Sequence, residues 1–108
     1  MSALLVALGA AVGAPLRFAL ATRLDGRAPW GTFGVNVAGS FLLGLLSASA
    51  LSSDGLALLG TGFCGGFTTY SAFAVQTHAL GPRRGAAYAA GTIVLSLAAC
   101  AVGFLLAA

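Results

Sequence analysis

The polar side chains inside the apolar stretches of this sequence are nearly all uncharged, and three of them share one helical face. Tyr88, Thr92 and Ser96 are spaced four residues apart, so in a helix their hydroxyls form one line. Such a line can act as hydrogen-bonding glue between helices, or as a polar track for an ion that has lost part of its water. The spacing alone leaves both interpretations open.

Asn36 and an aromatic pair are further candidates for contact with an ion. Asn36 can bond a neighbouring helix, and it can equally offer its NH₂ group to a passing anion. Tyr70 and Phe73 lie three residues apart, so their rings share a helical face. An aromatic pair is usually core packing, but ring edges are electropositive and can face an anion where no full positive charge is present.

The stretch GFCGGFTTYSAF, residues 62–73, combines three glycines with four consecutive hydroxyl-bearing residues. If a helix enters near Gly55, Gly65 lies about 15 Å further along it, which is about half of a ~30 Å hydrocarbon core. A helix break there would free carbonyls that converge on one spot and suit a hard cation such as Na⁺. The alternative is a glycine-rich packing face on which Thr68 and Thr69 bond back to their own helix.

Groups that could perform catalysis do not form a constellation. Asp25 and Asp54 lie in connections, His78 is the only histidine, and Cys64 and Cys100 are far apart within apolar runs. Acid–base catalysis or a metal or haem site would need an embedded carboxylate or further ligands. We therefore expect no enzyme, an interfacial His78, and cysteines that serve as small packing residues.

Composition places these residues in a membrane. The 108 residues are 59% hydrophobic and 6% charged, whereas soluble domains carry about a quarter charged residues. Charges and Gly/Pro punctuation delimit four predicted spans in one domain, residues 1–108: about 2–21, 31–51, 55–79 and 86–106. Short connections make consecutive helices antiparallel neighbours.

Small residues at spacing four, such as Gly9/Gly13, Ser40/Gly44 and Gly62/Gly66, allow helices to approach closely in lipid. Packing within one chain explains any single pair. Four thin helices enclose little on their own, so we also expect an oligomer in the bilayer. Five basic residues are too few to indicate binding to nucleic acid.

The arginines predict orientation. Arg23 and Arg27 lie in loop one and Arg83 and Arg84 in loop three, while the termini and loop two carry no Arg or Lys. The positive-inside rule places both termini outside and loops one and three in the cytoplasm, across the inner or plasma membrane of the cell. Arg17, the single charge within a span, is expected to play a structural role, by snorkelling or within a bond network.

Three segments in order, GAAVGAPLRF (9–18), GTFGVNVAGSFLLG (31–44) and GFCGGFTTYSAF (62–73), resemble the Fluc (CrcB-type) fluoride channels, and all four spans align. The resemblance implies an all-α membrane protein of four transmembrane helices. The third helix would be broken at mid-membrane, and two subunits would pair as an antiparallel, dual-topology dimer. Such proteins are passive channels that let cytoplasmic fluoride leak out through two pores, which relieves toxicity, and they hold a structural, untransported Na⁺ at the dimer centre.

Carried over by position, the resemblance assigns the Na⁺ site to the backbone carbonyls of Gly65 and Thr68 from each subunit. It assigns the fluoride pore to seven residues, namely Asn36, Tyr70, Ser71, Phe73, Tyr88, Thr92 and Ser96. Two positions depart from the family pattern. Tyr70 stands where a phenylalanine is usual, which bears on whether the pore lined by this ring pair conducts normally, and Gln76 stands where a glutamate is common.

Two other classes of membrane protein are alternatives. A non-conducting structural subunit would use the polar residues only for hydrogen bonds between helices. A small multidrug-type exporter would need a membrane glutamate, which this sequence lacks. The arginine bias of four to none also opposes insertion in both orientations. We therefore expect the antiparallel partner to be a homologous second chain, with a homodimer as the rival.

Overall fold

The computed structural model describes residues 2–108, and every regular element in this part of the chain is a helix, with no strand. The main helices are α1 (Ser2–Leu24), α2 (Trp30–Ala48), α4 (Ser71–Ala79) and α5 (Gly81–Ala107). Between α2 and α4, residues 53–67 form α3 from three contiguous pieces, Ser53–Gly55, Leu56–Cys64 and Gly65–Phe67. The expected all-α class is confirmed.

Three helices, α1, α2 and α5, are long and apolar enough to cross a membrane. Large apolar side chains cover their outer surfaces; Phe18, Leu97 and Leu105, for example, are each about 70% exposed. Such surfaces are stable in lipid and not in water. The segment predicted as the third span, 55–79, is occupied by α3 and α4, with residues 68–70 between them.

Helix α5 begins earlier than the predicted span 86–106. Gly81 adopts a left-handed turn with φ +85°, and Pro82 occupies the first turn of the helix, where its missing N–H costs no hydrogen bond. Arg83 and Arg84 therefore lie in the first turn of α5 rather than in the preceding loop.

Glycines set the contacts of α1 with α3. A Cβ at Gly9 would meet the Leu58 carbonyl, and one at Gly66 would lie 2.9 Å from the Ala10 Cα. The contacts advance in the same direction along both helices, so α1 and α3 run parallel. The glycine pairs Gly9/Gly13 and Gly62/Gly66 thus serve packing within the chain.

The second parallel pair is α2 with α5, the most extensive interface of the fold, since the starts of both helices line one cavity. A Cβ at Gly44 would meet the Cys100 carbonyl, and one at Gly103 would meet the Phe41 carbonyl. The start of α2 lies beside the end of α1, since a Cβ at Gly31 would lie 2.8 Å from the Ala21 Cα. Consecutive spans therefore run antiparallel.

The hydrogen bonding of α3 is unusual. Residues Leu56–Cys64 form a π-helix, in which each N–H bonds to the carbonyl five residues back rather than four. The α-helical pattern returns for Gly65–Phe67 and then ends, because Thr68 is extended at φ −91° and ψ 163°. The interruption that follows, residues 68–70, contains the predicted site residues Thr68 and Tyr70.

Candidate functional site

The backbone between α3 and α4 is held by Asn36 of α2. The Asn36 Nδ2 donates to the Thr69 carbonyl at 3.0 Å, and the Thr69 N–H donates to Asn36 Oδ1 at 2.8 Å. Asn36 is only 8% exposed. Its side chain thus replaces both helical bonds that Thr69 forgoes, and one N–H of its NH₂ group remains for a further acceptor.

Arg17 and the two threonines satisfy other groups at the same place. The Arg17 Nε donates to the Gly66 carbonyl at 3.1 Å, which joins α1 to the end of α3. The Thr68 hydroxyl bonds back to the Cys64 carbonyl at 2.9 Å, and the Thr69 hydroxyl accepts from the Ala72 N–H at 3.2 Å, at the start of α4. Arg17 is thus hydrogen-bonded inside the fold, and its structural role stays a prediction.

Two carbonyls lose their helical donors here. In a continuous α-helix the Thr69 N–H would bond the Gly65 carbonyl and the Ala72 N–H would bond the Thr68 carbonyl. Both N–H groups are used by side chains instead. These are the two carbonyls to which the resemblance assigns Na⁺, and a Cβ on the exposed Gly65 would meet nothing within 4 Å.

An open groove of about 550 Å³ runs along this face. Its described lining side chains are all uncharged and come from α2, α3, α4, α5 and the 68–70 segment: Asn36, Gly39, Ser40, Leu43, Gly60, Thr61, Cys64, Gly65, Thr68, Thr69, Tyr70, Phe73, Thr92, Ile93 and Ser96. An ion in this groove would meet dipoles and no full charge.

Thr92 and Ser96 are the two side chains of this lining whose hydroxyls are buried without a hydrogen-bond partner among residues 2–108. Thr92 is 4% exposed. A buried hydroxyl without a partner costs roughly 1–3 kcal/mol. Within residues 2–108 neither hydroxyl is hydrogen-bonded to another helix, so both can bind something that occupies the groove.

The aromatic residues form a row rather than a pair. The ring centroids of Tyr70 and Phe73 are 6.2 Å apart, and those of Phe73 and Tyr88 are 5.5 Å apart. Tyr70 is 80% exposed, and the exposed Ser71 places its hydroxyl 3.4 Å from that of Thr69. Phe73 thus stands between a ring that faces outward and a ring held by α5.

Tyr88 lines a different cavity from the other two residues of its predicted line. Its ring lines a different cavity, beside Trp30 and Phe33, rather than the groove of Thr92 and Ser96. Its hydroxyl donates to Gln76 Oε1 at 3.2 Å. The structure therefore brings Thr92 and Ser96 together with Asn36, and links Tyr88 to them through the Phe73 ring.

Asp25 and Gln76 complete this arrangement, and sequence reasoning missed the role of both. Gln76 Nε2 donates to Asp25 Oδ2 at 3.1 Å, while Asp25 also accepts from the Thr32 hydroxyl and N–H, each at 2.9 Å. Since Thr32 is in the first turn of α2, the carboxylate caps that helix. An aspartate shortly before a helix start was the available signal.

Metal ligands of the usual side-chain kind are not grouped in residues 2–108, where no cluster of three His, Cys, Asp or Glu occurs. Cys64 and Cys100 are both free thiols, and Cys64 is buried in the core.

Comparison with known proteins agrees with the resemblance seen in the sequence. The profile of the family described as "CrcB-like protein, Camphor Resistance (CrcB)" matches residues 4–104. The protein named fluoride-specific ion channel FluC 2 of Rhodococcus jostii is 48% identical to the chain, over 96% of each sequence. FluC 2 of Halobacterium salinarum is 49% identical over 99% of this chain and 87% of its own length.

FluC 1 of Streptomyces avermitilis is also similar, with 46% identity over 92% of this chain and 86% of its own length. These matches cover nearly the whole chain, including every segment that positions the groove. The chain therefore belongs to the CrcB family of fluoride channels, which are membrane proteins and not enzymes.

Proposed function

We propose that this chain is a subunit of a fluoride-specific channel, and that fluoride passes along the groove beside Asn36, Thr92 and Ser96. The observation that carries the proposal is the pair of buried hydroxyls without partners, which face an uncharged groove. The names of the similar proteins, each a fluoride-specific ion channel, support it.

The chemistry of the groove suits a small, hard anion. Fluoride entering it would exchange water for hydroxyl donors from Thr92 and Ser96 and for the remaining N–H of Asn36. The Phe73 ring edge adds a weak positive field. Because no full positive charge attracts anions in general, a larger anion such as chloride would gain too little from these few donors to offset its desolvation.

A structural Na⁺ at the carbonyls of Gly65 and Thr68 is part of the proposal. Carbonyl oxygens are hard ligands, and these two have lost their helical donors. Gly65 lies twelve residues after the start of α3 at Ser53, or roughly 18 Å along a regular helix, which supports an interruption near mid-membrane. Two carbonyls are too few for a complete cation shell, so the second subunit would supply the others.

An antiparallel dimer with its axis at the Gly65 face, as the family resemblance implies, would meet the same requirement. The exposed Gly65, with no atom within 4 Å of a Cβ, leaves the space that a second backbone needs. We propose that the partner is a homologous second chain with both termini in the cytoplasm, because four arginines oppose insertion of this chain in the inverted orientation. The numbers 1 and 2 in the relatives' names fit organisms with two such chains.

The direction of transport would be set by the fluoride gradient alone. The described residues that line the groove include no His, Asp, Glu, Lys or Arg, which supports a flux that is not coupled to protons. Passive exit of fluoride from the cytoplasm would lower its toxicity. A proton-coupled exporter is disfavoured, since the sequence has no glutamate.

A reconstitution assay tests this function against that of a non-conducting structural subunit. The chain would be placed in liposomes, alone and together with the homologous second chain, and the efflux of fluoride and chloride measured with ion-selective electrodes. We expect fluoride efflux and strong rejection of chloride. Absence of fluoride efflux from both preparations, or equal chloride efflux, would refute the proposal.

The same vesicles distinguish the two assemblies. A cysteine introduced at Arg83, in the exposed first turn of α5, reports which side that end of the chain faces. A heterodimer predicts labelling of Arg83→Cys from one side only and efflux only with the partner. Labelling from both sides, with robust efflux by the lone chain, would establish a homodimer instead.

A further inference from the structure

A second cavity lies between the start of α2 and the first half of α5, and it shares no lining residue with the groove described above. Its volume is about 440 Å³. Its wall is aromatic and aliphatic, with Arg84 as its one charged side chain: Ala28, Pro29, Trp30, Phe33, Leu80, Arg84, Ala87, Tyr88, Gly91 and Leu95.

The cavity has the length of one bilayer leaflet. Arg84, in the first turn of α5, lies eleven residues before Leu95, and this separation corresponds to roughly 16 Å along the helix. That is about half of a ~30 Å hydrocarbon core. Pro29 and Leu80, which come from the connections on either side, line its outer end, so Arg84 stands at headgroup level and Leu95 near the bilayer centre.

The charged side chains at the headgroup end of the cavity are positive. Arg84 is exposed, and Arg83 and Arg27 are next in sequence to lining residues. The nearby Asp25 carboxylate is directed to Thr32 and Gln76. Trp30, 67% exposed at the same level, provides the kind of ring that prefers the membrane interface.

We propose that this cavity binds an anionic phospholipid of the leaflet that contacts loops one and three. The Arg84 guanidinium donates to the phosphate, the Trp30 ring packs beside the headgroup, and one acyl chain lies along Phe33, Gly91 and Leu95. Apolar lining and basic charge thus match the two ends of a single lipid molecule.

Gly91 provides the space for the acyl chain. A Cβ at this position would meet nothing within 4 Å, so a larger side chain would fill the cavity without colliding with the backbone. Gly91→Leu should therefore fill the cavity and exclude the acyl chain. Gly34→Leu is its matched control, because a Cβ at Gly34 also meets nothing within 4 Å and Gly34 does not line the cavity.

The experiment uses the full chain in nanodiscs of phosphatidylcholine and phosphatidylglycerol, with a photoreactive phosphatidylglycerol as the probe and native mass spectrometry to count retained lipids. We expect the unaltered chain to retain phosphatidylglycerol in preference to phosphatidylcholine. Arg84→Gln should lower that preference about fivefold and Arg83→Gln less. Gly91→Leu should abolish labelling, whereas Gly34→Leu should keep it.

Two results would overturn the proposal. Labelling that survives both Gly91→Leu and Arg84→Gln would show that the probe binds elsewhere. Loss of the dimer on Gly91→Leu, seen by cross-linking in the same discs, would place a second chain in the cavity rather than a lipid. Neither result depends on fluoride transport, so the proposal stands or fails separately from the channel function.

Discussion

Replacing Asp25 with alanine is expected to destabilise the fold by about 2–4 kcal/mol. The carboxylate accepts bonds from the Thr32 N–H and hydroxyl and from Gln76. Thr32 is 1% exposed, so its two donors would be left largely without water, at roughly 1–3 kcal/mol each. Asp25 and Gln76 are only half-buried, so water can replace part of the hydrogen bonding that is lost. The expected destabilisation is therefore smaller than the sum of the two penalties.

The free energy of unfolding would be measured in detergent micelles by titration with a denaturing detergent, with far-ultraviolet circular dichroism to follow helix loss. Asp54→Ala is the matched control, since Asp54 is an exposed aspartate in the first turn of α3 and should change stability by less than about 0.5 kcal/mol. A double-mutant cycle with Thr32→Val isolates the pair and should give a coupling of about 1–3 kcal/mol.

Equal effects of Asp25→Ala and Asp54→Ala, or additive effects of Asp25→Ala and Thr32→Val, would refute this reasoning. Either result would mean that the carboxylate is solvated and does not hold the start of α2.

Three other predictions concern the same face of the molecule. Gln76→Glu places a second carboxylate against Asp25 and should reduce both stability and fluoride efflux. Asp25→Asn in the same chain should restore both quantities. Failure of that rescue would show that the two residues do not interact. Gly65→Val should leave the helical content unchanged but abolish dimer formation in size-exclusion chromatography. Gly9→Val, whose Cβ would meet the Leu58 carbonyl, should instead disrupt the subunit itself. A normal dimer of the Gly65→Val variant would disprove the cation site at the dimer axis. Replacing Na⁺ by a large organic cation during purification should weaken the dimer and leave the subunit helical, and a dimer indifferent to this exchange would contain no structural Na⁺.

Local spacing was sufficient to predict part of the site. The four-residue interval between Thr92 and Ser96 places both in one groove, because an α-helix repeats that closely. The glycines and hydroxyls of residues 62–73 indicated an irregular backbone, since Gly is unfavourable in helices and Ser and Thr compete for backbone bonds. The sequence could not predict that the hydroxyls of Thr92 and Ser96 are buried without hydrogen-bond partners.

The contacts that hold the site could not be read from spacing, because they join distant positions. Asn36 bonds Thr69 across 33 residues and Gln76 bonds Asp25 across 51. Such pairs depend on how separate helices align in space, and close backbone approach at glycines such as Gly44 and Gly103 contributes to that alignment. Tyr88 shows the same limit, since its ring turns toward Trp30 and Gln76 although its spacing matches Thr92.

Fluoride efflux through the Thr92→Val channel tests the central claim most directly. Valine has the shape of threonine without its hydroxyl, and this hydroxyl is buried without a partner within residues 2–108, so the variant should be as stable as the unaltered chain or more stable. Loss of one hydrogen bond to the ion, about 1.5–3 kcal/mol, predicts efflux slowed roughly tenfold or more, while Thr92→Ser should conduct nearly normally. Equal efflux by Thr92→Val and the unaltered chain, in the assembly that conducts, would contradict the assignment of the groove as the fluoride pathway.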